Sequence, residues 1–89
     1  MFKIKNVSVV YNWSDLLANV SVEMLHNENN IKIHVAGSEE ILIIYYFEGE
    51  YVVDVIDTTE TYSSVNCVSV RNFNELLDEI EIAYGELLD

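Results

Sequence analysis

Ile41-Leu42-Ile43-Ile44-Tyr45-Tyr46-Phe47-Glu48-Gly49-Glu50-Tyr51-Val52-Val53-Asp54-Val55-Ile56-Asp57 is the stretch on which the fold turns. Two apolar runs rich in β-branched and aromatic residues flank Glu48-Gly49, the pattern of a β-hairpin. With Glu48-Gly49 as a two-residue loop, Tyr46 falls opposite Tyr51, Ile44 opposite Val53 and Leu42 opposite Val55, so one face is wholly apolar. The reverse face pairs Phe47 with Glu50, Tyr45 with Val52, Ile43 with Asp54 and Ile41 with Ile56, a mixture expected to be partly wet. Tyr51, opposite Tyr46, is expected in the core.

Toward the C-terminus, Thr58 to Ser64 reads as a polar connection and Val65 to Val70 as a further short strand. Asn72 or Asn74 then caps a last helix in which Phe73, Leu76, Leu77, Ile80, Ala83, Tyr84 and Leu87 follow the spacing of a buried stripe. Toward the N-terminus, residues 14–27 fit two readings. As a helix capped by Ser14 or Asn12, they place Trp13, Leu16, Leu17, Val20 and Met24 on one stripe. As a strand, Val20, Val22 and Met24 alternate and pair with Ile31, Ile33 and Val35 across Asn27-Glu28-Asn29-Asn30. The helix is the preferred reading. Phe2 to Tyr11 forms a first strand, with a bend expected at Asn6.

An apolar sheet face and an apolar helix stripe each need a cover, and packing one on the other gives a two-layer α+β domain. The expectation is an antiparallel sheet of three to four strands packed against the C-terminal helix and an N-terminal helix. Residues 1–89 form one unit, because a chain of 89 residues has no room for a second core. Apolar residues make up 51% of the chain, too many for a disordered acidic tail. The longest apolar run, Ile41 to Phe47, falls far short of the roughly 20 residues of a membrane-spanning helix. Cys67 is the single cysteine, so no intramolecular disulfide forms. A soluble protein of a reducing cytoplasm is expected, since Met1-Phe2-Lys3-Ile4-Lys5 also lacks the apolar core of a signal peptide.

Charge is segregated along the chain. Up to Lys32, three acids balance three lysines, whereas from Ile33 to Asp89 thirteen acids face only Arg71, and the net charge of -12 belongs to that part. Unscreened like charges oppose compaction, so the bias points to solubility or to a basic partner. On the last helix Glu75, Asp78, Glu79, Glu86 and Asp89 lie opposite the apolar stripe, with Ile82 among them. Like-charged pairs three or four residues apart cost an isolated helix about 0.2 to 0.5 kcal/mol each, so this helix is not optimised for its own stability. A second set, Glu48, Glu50, Asp54, Asp57 and Glu60, lies at the hairpin tip, on its mixed face and in the following loop. Solvation and edge protection are the bland explanations for both sets. The near absence of lysine weighs against them. Nucleic acid and anionic membranes would be repelled, so no direct contact with either is expected.

Catalytic patterns are poor. His26 and His34 have no ligand-spaced partner, Cys67 has no histidine near it in sequence, and Asp54, Asp57 and Glu60 do not follow a calcium-loop pattern. No glycine-rich phosphate loop or nucleophile elbow occurs. No cofactor, no metal and no enzymatic activity are expected.

The charge-segregated set on a compact layout of strands and helices resembles the small acidic inhibitors encoded by phages and mobile elements, notably anti-CRISPR proteins that imitate DNA. The resemblance lies in size, charge and layout, with no shared motif, so no family residue carries over. It implies a cytoplasmic protein that occupies the basic DNA-binding surface of a CRISPR effector. The partner-binding residues expected from charge are Glu75, Asp78, Glu79, Ile82, Glu86 and Asp89, with Glu48, Glu50, Asp54, Asp57 and Glu60. Two alternatives are an immunity protein for a nuclease toxin and a self-associating structural or adaptor domain, in which two copies join as a homodimer through an unpaired sheet edge or through the mixed hairpin face with Ile43, Tyr45 and Val52.

Overall fold

A computed structural model describes residues 7–27, 30–59 and 63–88, and every structural statement below refers to them. The elements run β1 (Val7–Val10), α1 (Trp13–Ala18), α2 (Val22–Asn27), β2 (Asn30–Val35), β3 (Glu40–Phe47), β4 (Glu50–Asp57), β5 (Ser63–Val70) and α3 (Phe73–Leu88). The fold is α+β, with five strands in one sheet in the order β1-β2-β3-β4-β5.

The hairpin register is the expected one. Tyr46 pairs with Tyr51, Ile44 with Val53 and Leu42 with Val55, while Phe47–Glu50, Tyr45–Val52, Ile43–Asp54 and Ile41–Ile56 occupy the other face. Glu48 and Gly49 carry the turn with φ of 49° and 83°, and positive φ at both central residues is what a tight type I′ hairpin requires.

The sheet has one strand more than the three to four expected, because Asn30–Val35 is a strand although residues 13–27 are helical. Ile31, Ile33 and Val35 point to the core while Lys32 and His34 point away from it, a clean period of two. The sheet is not wholly antiparallel either. β1 pairs parallel with β2, since a helical crossover returns the chain to the same end of the sheet before β2 begins.

That crossover is two helices of six residues. Asn12 caps α1, its Oδ1 accepting from the Asp15 amide at 2.8 Å. At the break, the Asn19 side chain donates to the Asp15 carbonyl at 2.8 Å, and Ser21 Oγ accepts from the Met24 amide at 3.1 Å to start α2. Asn and Ser favour such local bonds over a continuing helix. The expected single stripe changes accordingly: Leu16, Val20 and Leu25 are buried, whereas Leu17 is exposed.

α3 follows the expected pattern more closely. Asn72 rather than Asn74 is its cap, with Oδ1 accepting from the Glu75 amide at 2.9 Å and Nδ2 donating to the Glu75 carboxylate at 2.8 Å. Leu76, Ile80, Ala83 and Leu87 are buried, with Phe73 and Tyr84 half-buried beside them. All three helices cover the same sheet face: α1 and α2 lie against β1, β2 and β3, and α3 lies against β4 and β5. Trp13 and Tyr84, with ring centroids 5.4 Å apart, join the two helical covers. Tyr51 is buried, as expected, in an aromatic group with Tyr46, Phe73 and His26.

Candidate acidic docking surface

The acids distribute according to the elements that carry them. α3 presents Glu75, Asp78, Glu81, Ile82 and Glu86 to solvent and keeps Glu79 half-buried on the flank toward β5. Ile82 is 57% exposed, a large apolar side chain held in the open among carboxylates. No basic residue lies on this helix. From Glu75 to Glu86 the helix rises about 17 Å, giving about 4 Å of axis per charge for its five acids, against 3.4 Å per phosphate along one DNA strand.

Two open depressions on the outside of the molecule use these residues. Asp78, Glu81, Ile82 and Gly85 line a shallow concavity on the outer side of α3. At the end of the sheet away from the hairpin turn, Glu39, Glu40, Asp57 and Glu86 ring a second one with Gly37, Ser38 and Leu87. Glu39 and Glu40 are absent from the set expected from sequence. Their signal was present in the hairpin itself, because continuing its register places Glu40 opposite Asp57, and like charges directly opposite are destabilising in a sheet. The Asp57 carboxylate lies below its ordinary pKa, chiefly because the Thr59 hydroxyl donates to it at 2.6 Å, with the Thr59 amide adding a second bond at 2.8 Å. It therefore stays ionised in spite of the crowding.

Of the remaining expected residues, Glu48, Glu50 and Asp54 do not join this surface. Glu48 and Glu50 sit at the hairpin turn, at the other end of the strands from Asp57. Glu48 is a carboxylate in a left-handed conformation that favours Asn or Gly, so turn geometry does not explain its identity. Glu50 approaches Arg71 at 4.0 Å in an exposed ion pair. Asp54 lies on the sheet face opposite the helices, cross-strand from Ile43 and Cys67. Glu60 and Asp89 lie outside the described residues, as does the Phe2–Asn6 stretch in which the first strand was expected to begin.

Side chains capable of other chemistry are engaged locally. His26 stacks on Tyr46 with ring centroids 4.0 Å apart and meets the Tyr51 hydroxyl at 3.2 Å. His34 Nε2 donates to the Ser38 carbonyl at 2.9 Å. Cys67 is exposed, yet partial desolvation and then the Asp54 charge push its thiol above the ordinary value, the opposite of an activated thiolate. Burial, then Cys67, then Asp54 likewise push the Tyr45 phenol up. Among the described residues no group of three His, Cys, Asp or Glu side chains is placed to hold a metal ion. No helix among them is long and apolar enough to cross a membrane.

Comparison of the chain with protein-family models, with curated proteins and with solved structures found no match.

Proposed function

We propose that this protein is a stoichiometric inhibitor whose acidic surface occupies the basic nucleic-acid-binding site of a partner protein, in the manner of an anti-CRISPR protein blocking a CRISPR effector in the bacterial cytoplasm. The observation that carries the reading is α3. It carries four exposed carboxylates with Glu79 half-buried on its flank, no cation and an exposed Ile82. Arginine and lysine side chains of a DNA-binding groove complement that row, and arginine does so with two parallel hydrogen bonds per carboxylate. Ile82 supplies a contact that loses its water on docking, the kind that gives affinity, while the charges give speed and orientation. An immunity protein against a nuclease toxin would use the same contacts, and the identity of the inhibited nuclease separates the two.

The adaptor alternative has less support. On the hairpin's face away from the helices Val52 is only 8% exposed and Ile43 and Tyr45 are half-buried, leaving Phe47 at the hairpin tip as its one widely exposed apolar side chain, so a second copy stacked there would gain most of its apolar contact at that tip.

The test is capture from a bacterial lysate at low salt, elution with rising salt, and assay of the eluted nuclease. The parent is expected to retain a basic nuclease that elutes late and to inhibit its DNA cleavage. The Asp78→Lys, Glu79→Lys, Glu86→Lys variant should fold and do neither. Equal capture and inhibition by the triple variant would exclude α3 as the contact.

A further inference from the structure

The free edge of β5 adjoins the same flank of α3, and we infer that the partner docks by adding an extended basic-apolar-basic segment to β5 beneath Glu79, Ile82 and Glu86. The inference rests on the acidic-docking reading above and gives it a binding mode.

Among the described residues β5 pairs only with β4, so its outer side offers a row of backbone donors and acceptors. Natural edges are usually blunted by charge, proline, short length or a bulge. The other edge, β1, has four residues among those described, including exposed Val9. β5 has eight, Ser63-Ser64-Val65-Asn66-Cys67-Val68-Ser69-Val70, with no charge and no proline. Its one irregularity is a register shift facing Val55 and Ile56. Asn66 to Val70 remain in regular register with Val55 to Tyr51 and form an uninterrupted template.

α3 already overlies this part of the sheet. Val53, Val55, Asn66 and Val68 of the sheet and Glu79, Ile82, Ala83 and Glu86 of the helix enclose a crevice about the size of one water, which sets those helix side chains beside the β5 edge. Glu79 and Glu86 are separated by about 10 Å of helix rise with Ile82 between them. In an added strand, side chains on the helix side recur about every 6.8 Å. A Lys-x-Val-x-Arg segment would therefore set its valine near Ile82 and its cations within reach of the two glutamates. A second copy of this chain fits poorly, because pairing β5 with β5 would bring another acidic α3 alongside the first.

The probe is a synthetic peptide, Ser-Lys-Thr-Val-Thr-Arg-Ser with blocked ends, titrated into the isotope-labelled full chain at low salt and followed by amide NMR. Two further peptides carry N-methyl groups on one or the other set of alternating amides. Expected are shifts of the Asn66 to Val70 amides and of the α3 flank, and roughly tenfold or greater loss of affinity for one methylated peptide but not the other. Glu79→Gln with Glu86→Gln should weaken the parent peptide by at least about threefold. Equal binding by all three peptides, or shifts confined to α3, would overturn edge pairing and leave the acidic docking reading standing. No shift with any peptide would overturn both.

Discussion

The two helical covers of this sheet meet the same packing demand with different outer surfaces. α1 and α2 are short, broken at Asn19–Ser21, and carry one acid each: Glu23 is exposed, while Asp15 is engaged locally, its carboxylate accepting from the Tyr11 amide at 3.0 Å and its carbonyl from the Asn19 side chain at 2.8 Å. α3 is continuous over sixteen residues. Glu75 closes its cap with Asn72, but Asp78, Glu81 and Glu86 project away from the apolar stripe with no cation on their helix. The contrast separates what folding asks for from what it leaves over. Leu16, Leu25, Leu76 and Ile80 cover the sheet in both places, whereas Asp78, Glu81 and Glu86 on α3 lie outside that cover and, unlike Glu75, outside the cap.

Several substitutions would break or sharpen that contrast. The largest effect on stability is expected inside the covers: Ile80→Ala and Leu16→Ala should each cost about 2–5 kcal/mol in denaturant unfolding. Leu17→Ala, at an exposed position of the same helix, should stay within about 0.5 kcal/mol. A small loss for Ile80→Ala would mean that α3 is not a true cover. Next come the caps. Asn72→Ala and Asn12→Ala should each cost about 1 kcal/mol, read as a fall in the thermal midpoint.

A smaller change of opposite sign is expected on the outer face. Asp78→Asn and Glu81→Gln each relieve like-charge repulsion three residues apart and should stabilise by about 0.2–0.5 kcal/mol. Destabilisation would show that these acids serve the fold after all. The smallest effect concerns Asp57, whose folded pKa is depressed by Thr59. A depressed carboxylate contributes stability that is present above its unfolded pKa and is lost as pH falls through the folded value. Thr59→Val should raise the Asp57 pKa in an NMR titration and reduce the stability that is lost between the unfolded and folded values as pH falls. An unchanged titration would assign the depression to another group.

Much of this organisation was legible in the sequence where one periodicity acted alone. The hairpin register followed from Glu48-Gly49 and the alternation around it, and α3 from its stripe and its asparagine cap. Residues 13–27 were harder, because Asn19 and Ser21 each favour local capping and their combined effect is a break rather than a continuous helix. The Ile31, Ile33, Val35 alternation was visible, but its pairing was not, since parallel pairing with β1 depends on where a helical crossover delivers the chain. The acids were legible as a set but not as a surface. Sequence spacing groups residues on one element, while the meeting of Glu39 and Glu40 with Asp57 and Glu86 comes from the packing of α3 over the sheet.

Competition for DNA tests the docking claim most directly. The captured nuclease is titrated with labelled DNA at several fixed concentrations of this protein, parent or Asp78→Lys, Glu79→Lys, Glu86→Lys. Docking through α3 predicts that the apparent Kd for DNA rises in proportion to parent concentration, that added salt weakens the effect, and that the triple variant loses at least about a hundredfold in potency. Simultaneous binding of DNA and protein, or equal potency of the triple variant, would contradict it.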